Sequence, residues 1–346
     1  MKIILSELDK ENENIILKSY EDLKKKYFDT KLEISSCLVC KSKLFQNIGP
    51  SIIRLANRQL YVTEENLLLK KCDECGHVTT SYTYSPEYYF EYLNRFYGVV
   101  PSSVTPKMLE KASLRKNILE KNAKIQKVKI NQILEISSYD GVTLNYLDQQ
   151  LNKSFFKKKC NVFGIEPTTS AVVFSEKNFS NLKGRILNST AEQVDYFKYK
   201  KKFDAVISSE ALRMVSNPEK LIKNIKQKLN KNCIFIVHEG TFMNTVLTSN
   251  QEHQYFRQFS QQKINYFTLQ GLNYFMKKNG FEDSQLDIHD SASLQAVIQT
   301  FIYTGTKKED YSLLKLSKSI SDSCLNIWLN LQSDTDKFYK YLKNVG

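Results

Sequence analysis

The chain has 346 residues, room for one large domain and one or two small ones, and its 41% hydrophobic and 25% charged residues are ordinary for a globular protein. No apolar run is long enough to cross a bilayer, and the start, MKIILSELDKENEN, is too short in apolar residues for a signal peptide, so a cytoplasmic chain with no membrane partner is expected. The formal net charge of +13 raises a nucleic-acid partner, yet the basic residues are mostly Lys and the densest stretch, 107–129, spaces Leu114, Ile118 and Ile125 as one face of a solvated amphipathic helix; nucleic acid is not expected, and a small anionic substrate suits the charge.

Residues 1–36 are charge-mixed, with a helix expected over 14–27. The first strong motif follows. C-L-V-C at 37–40 and C-D-E-C-G-H at 72–77 are two C-x-x-C knuckles, each of which points two thiolates into one site. Cys37, Cys40, Cys72 and Cys75 together make a tetrahedral set suited to Zn²⁺, closed to water and therefore structural. Gly76 fits the tight turn of a knuckle, and His77 is a fifth candidate that the four thiolates do not need. The stretch 81–100 is rich in Tyr and Phe and reads as the packing of this small module against its neighbour. A helical connector is expected over 106–127.

From residue 129 strand and helix patterns alternate. Strands are expected at 132–137, 161–166, 185–188, 203–209 and 233–239, and helices from 142, over 170–177 and over 218–229. A helix over 266–281 ends in N-G-F, a glycine cap. Segments 285–289 and 294–303 form a terminal strand pair, and 311–331 is a last helix. Alternation of this kind makes a parallel sheet covered by helices on both faces.

In such a sheet ligands bind beyond the carboxyl ends of the strands. Those ends carry Ser137, Tyr139, Asp140 and Gly141 after the strand holding Glu135, then Glu166 and Pro167, Thr190 and Ala191, Ser208 and Glu210, and His238 and Glu239. Glu166 is placed to accept both hydroxyls of a ribose, Asp140 and the backbone near Ser137 face the rest of the ligand, and Thr190 and Ala191 border an adenine.

That constellation resembles class I methyltransferases dependent on S-adenosylmethionine (SAM), over roughly 129–281. The residues that carry it are E-I-S-S-Y-D-G at 135–141, G-I-E-P at 164–167, S-T-A-E at 189–192, F-D-A-V-I-S-S-E-A-L at 203–212 with N-P-E-K-L at 217–221, I-F-I-V-H-E at 234–239, and Y-F-T-L-Q-G-L opening 266–281. No G-x-G-x-x-G follows the first strand, which argues against a nicotinamide-binding domain. The resemblance implies a Rossmann-like α/β sheet, mostly parallel with an antiparallel last strand, and SAM as cofactor. A four-cysteine zinc module ahead of this sheet is similar to the sugar C-methyltransferase group, which implies a nucleotide sugar or glycan precursor as methyl acceptor.

The chain departs from that group in several places. The glycine of the SAM loop is Ser137, the group's Glu-His pair aligns with Gln262 and Lys263, its His after the fourth strand aligns with Met214, and only about forty residues follow Gly305 where the group has a long C-terminal domain. The candidates for a base are His238, Glu239, Glu210 and His253. Domains are expected at 1–36 (helical segment), 37–85 (zinc-binding module), 86–128 (aromatic and helical connector), 129–305 (methyltransferase domain) and 306–346 (helical C-terminal extension). The departures also open a second reading, a catalytically silent SAM-binding or protein-interaction module.

Overall fold

The computed structural model describes residues 2–98, 100–153, 160–242, 262–288 and 297–333. The amino-terminal part builds one larger sheet and a separate two-stranded one. Strand β1 (Lys2–Ser6) leads into helix α1 (Lys10–Lys26), which Asp9 caps by accepting from the Asn12 amide. After the short β2 (Leu32–Glu33) come β3 (Phe45–Leu55), β4 (Leu60–Cys72), β5 (Val78–Thr80) and β6 (Tyr82–Thr83). Helix α2 (Pro86–Phe96) starts with proline in its first turn. The aromatics of 81–100 are core. Tyr88, Tyr92 and Phe96 pack with Tyr20 of α1 and with Ile53, Leu55 and Val62 of β3 and β4. Tyr88 stacks on Tyr84 at 4.1 Å, and the Tyr92 hydroxyl donates to the Arg54 carbonyl at 2.5 Å.

Helix α3 (Pro106–Ile125) crosses to the second sheet. The elements that follow in the chain are β7 (Gln132–Ile136), α4 (Val142–Leu151), β8 (Asn161–Glu166), α5 (Thr169–Asn178), β9 (Ile186–Asn188), β10 (Phe203–Ser209), α6 (Ala211–Met214), α7 (Pro218–Lys226), β11 (Leu229–Glu239), β12 (Asn265–Tyr266), α8 (Leu269–Lys278), β13 (Phe281–Ile288) and β14 (Val297–Tyr303). Helix α9 (Tyr311–Ser333) closes the described chain.

Seven strands lie in the order β13-β14-β11-β10-β7-β8-β9. β7 pairs in parallel with β8 and β10, β10 with β11 and β8 with β9, while β14 is antiparallel to both its neighbours. This is the mostly parallel sheet with an antiparallel last strand that was expected. Side chains alternate across it. Leu134, Ile136, Val206 and Phe235 face Leu221, Ile225, Leu272 and Phe275 of α7 and α8. Ile133, Ala205, Ile207 and Ile234 face Ile118, Leu119, Leu144 and Leu147 of α3 and α4.

Several expected elements shift. Leu229 does not end a helix but opens β11, where it pairs with Phe203. Tyr266 lies in β12 and the following helix starts at Leu269, capped by the Thr268 hydroxyl. Ile125 was expected on the apolar face of α3 but is exposed, because the helix is ending there and its buried side runs through Ala112, Ile118, Leu119 and Asn122.

The two halves of the chain are joined by more than a connector. β1 pairs with β4, so the start of the chain belongs to the sheet that carries the cysteines. β12 pairs with β5, adding residues from beyond β11 to that same sheet. α9 lies on the second cysteine knuckle: the Ser317 hydroxyl donates to the Cys75 carbonyl at 2.6 Å and the Ser321 hydroxyl to the Gly76 carbonyl at 2.7 Å. Gly76 has φ +72, and a Cβ there would collide with the Ser321 side chain. It is glycine because the turn is left-handed and because a helix lies against it.

Candidate functional site

The strand order reverses at β7, whose neighbours β8 and β10 lead away in opposite directions. Ligands of open α/β sheets sit outside the carboxyl ends of the strands at such a point. The turn after β7 takes a cradle shape from three left-handed residues, Ser137 (φ +58), Tyr139 (φ +44) and Gly141 (φ +70). Only the last is glycine. The two others carry side chains in a region that costs on the order of 1 kcal/mol each, strain that clusters at ligand sites. Gly141 is constrained on its far side as well, since a Cβ there would lie 2.5 Å from Ser175 Oγ of α5. Asp140 caps α4 by accepting from the Val142 amide at 2.9 Å, and burial raises its carboxyl above the usual range.

Glu166 ends β8 buried. Its Oε1 accepts from the Thr168 amide and its Oε2 from the Tyr139 amide, both at 2.8 Å. Each oxygen keeps a lone pair, so the carboxylate is held by the backbone and still able to accept two hydroxyls. Pro167 presents its carbonyl to Asn94 Nδ2 of α2 at 2.8 Å and to Asn188 Nδ2 at 3.1 Å, and Asn94 Oδ1 accepts from the Thr169 amide at 2.7 Å. Helix α2 therefore braces the β8 loop. Thr190 and Ala191 are buried after β9; the Thr190 hydroxyl donates to Gln193 and the Ala191 carbonyl accepts from Tyr196.

Sequence reasoning missed Arg115. From α3 its Nη1 reaches Glu135 Oε1 at 3.1 Å and Thr143 Oγ1 at 2.7 Å, and its Nη2 lies 3.1 Å from His238 Nδ1. Residues of α3, β7, α4 and β11 thus meet at the switch point. Lys107, Lys111 and Arg115 recur at helical spacing, which was the available signal; it reads equally as a solvated face. Burial, with Arg115 and Lys107 nearby, lowers the Lys111 ammonium below its usual range.

The titratable groups here sit in different states. Glu135 is 1% exposed, and burial pushes its carboxyl up to about 8 against the pull of Arg115. Glu239 accepts from the Leu212 amide at 2.9 Å and is likewise pushed up by burial to about 8, partly offset by Arg213. Glu210, at φ +56 and 39% exposed at its side chain, is different. Burial works against its charge, but Arg213, Lys263, His238 and Lys111 outweigh it and hold the carboxylate below the usual range. At His238 the arginine can only donate, so Nδ1 accepts and the proton belongs on Nε2. Gln262 and Lys263, which align with the Glu-His pair of the resembling group, are buried beside this edge. His253 lies outside the described residues.

The crevice suits a polar ligand. Among the described residues, Glu135 Oε2, Ser138 Oγ and Ser208 Oγ are buried without a hydrogen-bond partner, and Ser208 pairs with Ile136 across the switch point. Buried polar atoms left open in this way mark where a ligand or water completes the set. The acid at the end of β8, the cradle after β7 and these open atoms fit SAM. Arg115 and Glu135 would hold its methionine end, and Glu166 its ribose.

The metal centre stands apart from this crevice. Cys37, Cys40, Cys72 and Cys75 place their sulfurs all within 4.8 Å of one another, with Cys37–Cys75 and Cys40–Cys72 at 3.5 Å. A Zn–S bond of about 2.3 Å gives a tetrahedron edge of about 3.8 Å, so the set fits zinc. The knuckles match: the Lys41 amide donates to the Cys37 carbonyl and the Gly76 amide to the Cys72 carbonyl, each at 2.9 Å, with both donors left-handed. Contact with Cys37, Cys40 and Cys72 drives the Cys75 thiol far up, a crowding of sulfurs that a divalent cation relieves. His77 packs its ring 4.8 Å from Phe267 and is not part of the set.

A family model described as a methyltransferase domain matches residues 104–286. No curated protein matches the chain. Among solved structures, the chain is similar to the plantazolicin methyltransferase BpumL in complex with a pentazolic desmethylPZN analogue and SAH (16% identity, 58% of this chain and 86% of that one, TM-score 0.44). It is also similar to magnesium protoporphyrin IX methyltransferase from Synechocystis PCC 6803 with bound SAM (8%, 58% and 86%, 0.41). A third is CalS10 with bound SAM, an amino pentose methyltransferase from Micromonospora echinaspora involved in calicheamicin biosynthesis (9%, 57% and 92%, 0.40).

Proposed function

The chain belongs to the methyltransferase-domain family, and from that premise we propose that this SAM-dependent methyltransferase methylates a small anionic metabolite, a nucleotide sugar or glycan precursor. The observation that carries the reading is the meeting of Arg115, Glu135, Thr143 and His238 at the switch point, a built polar site where the sheet reverses. SAM, when bound, supplies an electrophilic methyl on a sulfonium. The protein's part is to orient both reactants and keep water out.

Each residue then has a task. Glu166, held by the Tyr139 and Thr168 amides, accepts the ribose hydroxyls. Arg115 binds the carboxylate of the methionine end, and Glu135 its ammonium. A nucleophile that must lose a proton needs an acceptor at the strand ends. Burial favours the protonated form of Glu239 and His238 has its Nδ1 engaged by Arg115, whereas Glu210 is held as a carboxylate and partly exposed. Glu210 is the proton acceptor in this reading, with His238 donating from Nε2. The sugar-type acceptor is supported by the four-cysteine set ahead of the sheet.

The second reading, a silent SAM-binding or protein-interaction module, is favoured by Ser137 and Tyr139, non-glycine residues at left-handed positions of the cradle where glycines are at ease. Calorimetry with SAM, followed by methyl transfer from labelled SAM to a panel of nucleotide sugars, decides between them. Tight SAM binding with transfer to a sugar is the expected result. No SAM binding would sink the enzyme reading, and SAM binding without transfer to any nucleotide sugar would reject the acceptor class.

A further inference from the structure

Resting on the reading of a methyltransferase with an anionic acceptor, we propose that Arg213 binds the acceptor's anionic group, a phosphate or carboxylate, beside Gly240 at the carboxyl end of β11. Arg213 belongs to α6, directly after β10, and is 2% exposed. Its guanidinium lies over the Tyr266 ring with Cζ 5.5 Å from the centroid. Nη1 is 4.0 Å from Glu210 Oε1, the outer reach of an ion pair. Nε and Nη2 have no hydrogen-bond partner among the described residues.

Those two open donors share one edge of the guanidinium, the fork that matches two oxygens of a carboxylate or phosphate. Two buried guanidinium donors left without acceptors are unfavourable, and an apolar side chain of similar length would fill the same space without the charge. Gly240 has been kept free of a side chain at this point: a Cβ there would collide with Nη1 and lie 3.3 Å from Cζ. The guanidinium therefore rests on the backbone at the strand end, one residue past Glu239 and two past His238. The local charge suits an anion. Arg213, Lys263 and Lys111 all act on Glu210, and burial favours the protonated form of the neighbouring Glu239.

The test uses the full chain and four probes: SAH, pyrophosphate, inorganic phosphate and acetate, each titrated calorimetrically into wild type, R213M and G240A. Wild type should bind pyrophosphate or phosphate saturably at one site per chain. R213M should weaken that binding at least tenfold, with SAH affinity unchanged within twofold. G240A keeps the arginine but displaces its head and should show the same loss, which covers the case in which R213M fails to fold. Preference for phosphate over acetate points to a phosphorylated acceptor, and the reverse to a carboxylate; both support the site. No saturable anion binding by wild type, or equal binding by both variants, overturns the proposal. Loss of anion binding in R213M together with no SAH binding by wild type upholds the anion site and rejects the methyltransferase reading instead.

Discussion

Arg115 on α3 closes on Glu135 of the central strand β7 at 3.1 Å, and the same guanidinium touches Thr143 and His238. A cation from outside the sheet is thus set against the buried carboxyl at its centre. If this guanidinium also receives the methionine carboxylate, R115M should weaken SAH binding about tenfold to a hundredfold, the worth of a charged hydrogen bond. Calorimetry at pH 7 reads the change, and an unaltered affinity would remove Arg115 from the cofactor site.

Ser137 holds φ +58 with a side chain where the resembling group has glycine. S137G should relieve strain on the order of 1 kcal/mol and leave SAH binding equal or tighter. Denaturant melts and calorimetry measure the two effects. A clear loss of SAH affinity would mean that the serine hydroxyl is itself a ligand contact.

Glu239 is pushed up to about 8 in the folded chain against an ordinary 4.5. A carboxyl raised on folding contributes stability that is fully present below its unfolded value and is lost as pH rises through the folded one. The wild type should therefore lose thermal stability between about pH 4.5 and 8 on account of this group. E239Q keeps an acceptor for the Leu212 amide and cannot ionise. Its Tm should match wild type near pH 5 and exceed it at pH 8 by about 3 °C or more. A gap that is constant across the range would show that Glu239 does not titrate there.

The four cysteines should hold about one zinc per chain, and C72S should lose it. Metal analysis checks this, and an unchanged zinc content in C72S would reject the four-cysteine site. G76A is a sharper probe of the same region. It forces a Cβ into the Ser321 side chain at a left-handed position, so it should cost about 1–3 kcal/mol and loosen α9. Faster proteolysis within 311–333 is the expected signature, with zinc content preserved.

What could be read from the sequence was local. The run I-L-E-I announces β7 and N-V-F-G-I-E announces β8, because a strand buried on both faces is apolar throughout and bounded by small residues. The positions of Glu166, Asp140 and Gly141 follow from those strands. Arg115 and Asn94 did not follow. Each sits on a helix where its neighbours read as solvated or aromatic packing, and each acts across the fold on a partner set by strand order. Leu229 misled for a related reason: it continues the apolar spacing of α7 yet starts the next strand. The pairing of β12 with β5 leaves no periodic trace at all, since two residues are too few to show one.

The seating of α9 on the second knuckle has a consequence for how the chain comes into being. Ser321 and Gly76 are 245 positions apart, so the carbonyls of Cys75 and Gly76 gain their partners only after about 240 further residues have been synthesised. The same holds for the edge of β5, which stays open until residues 265 and 266 arrive. The cysteine module emerges from the ribosome early and is finished late. A metal bound by the two knuckles in that interval would hold them in shape as a template, so that α9 docks onto a surface already formed.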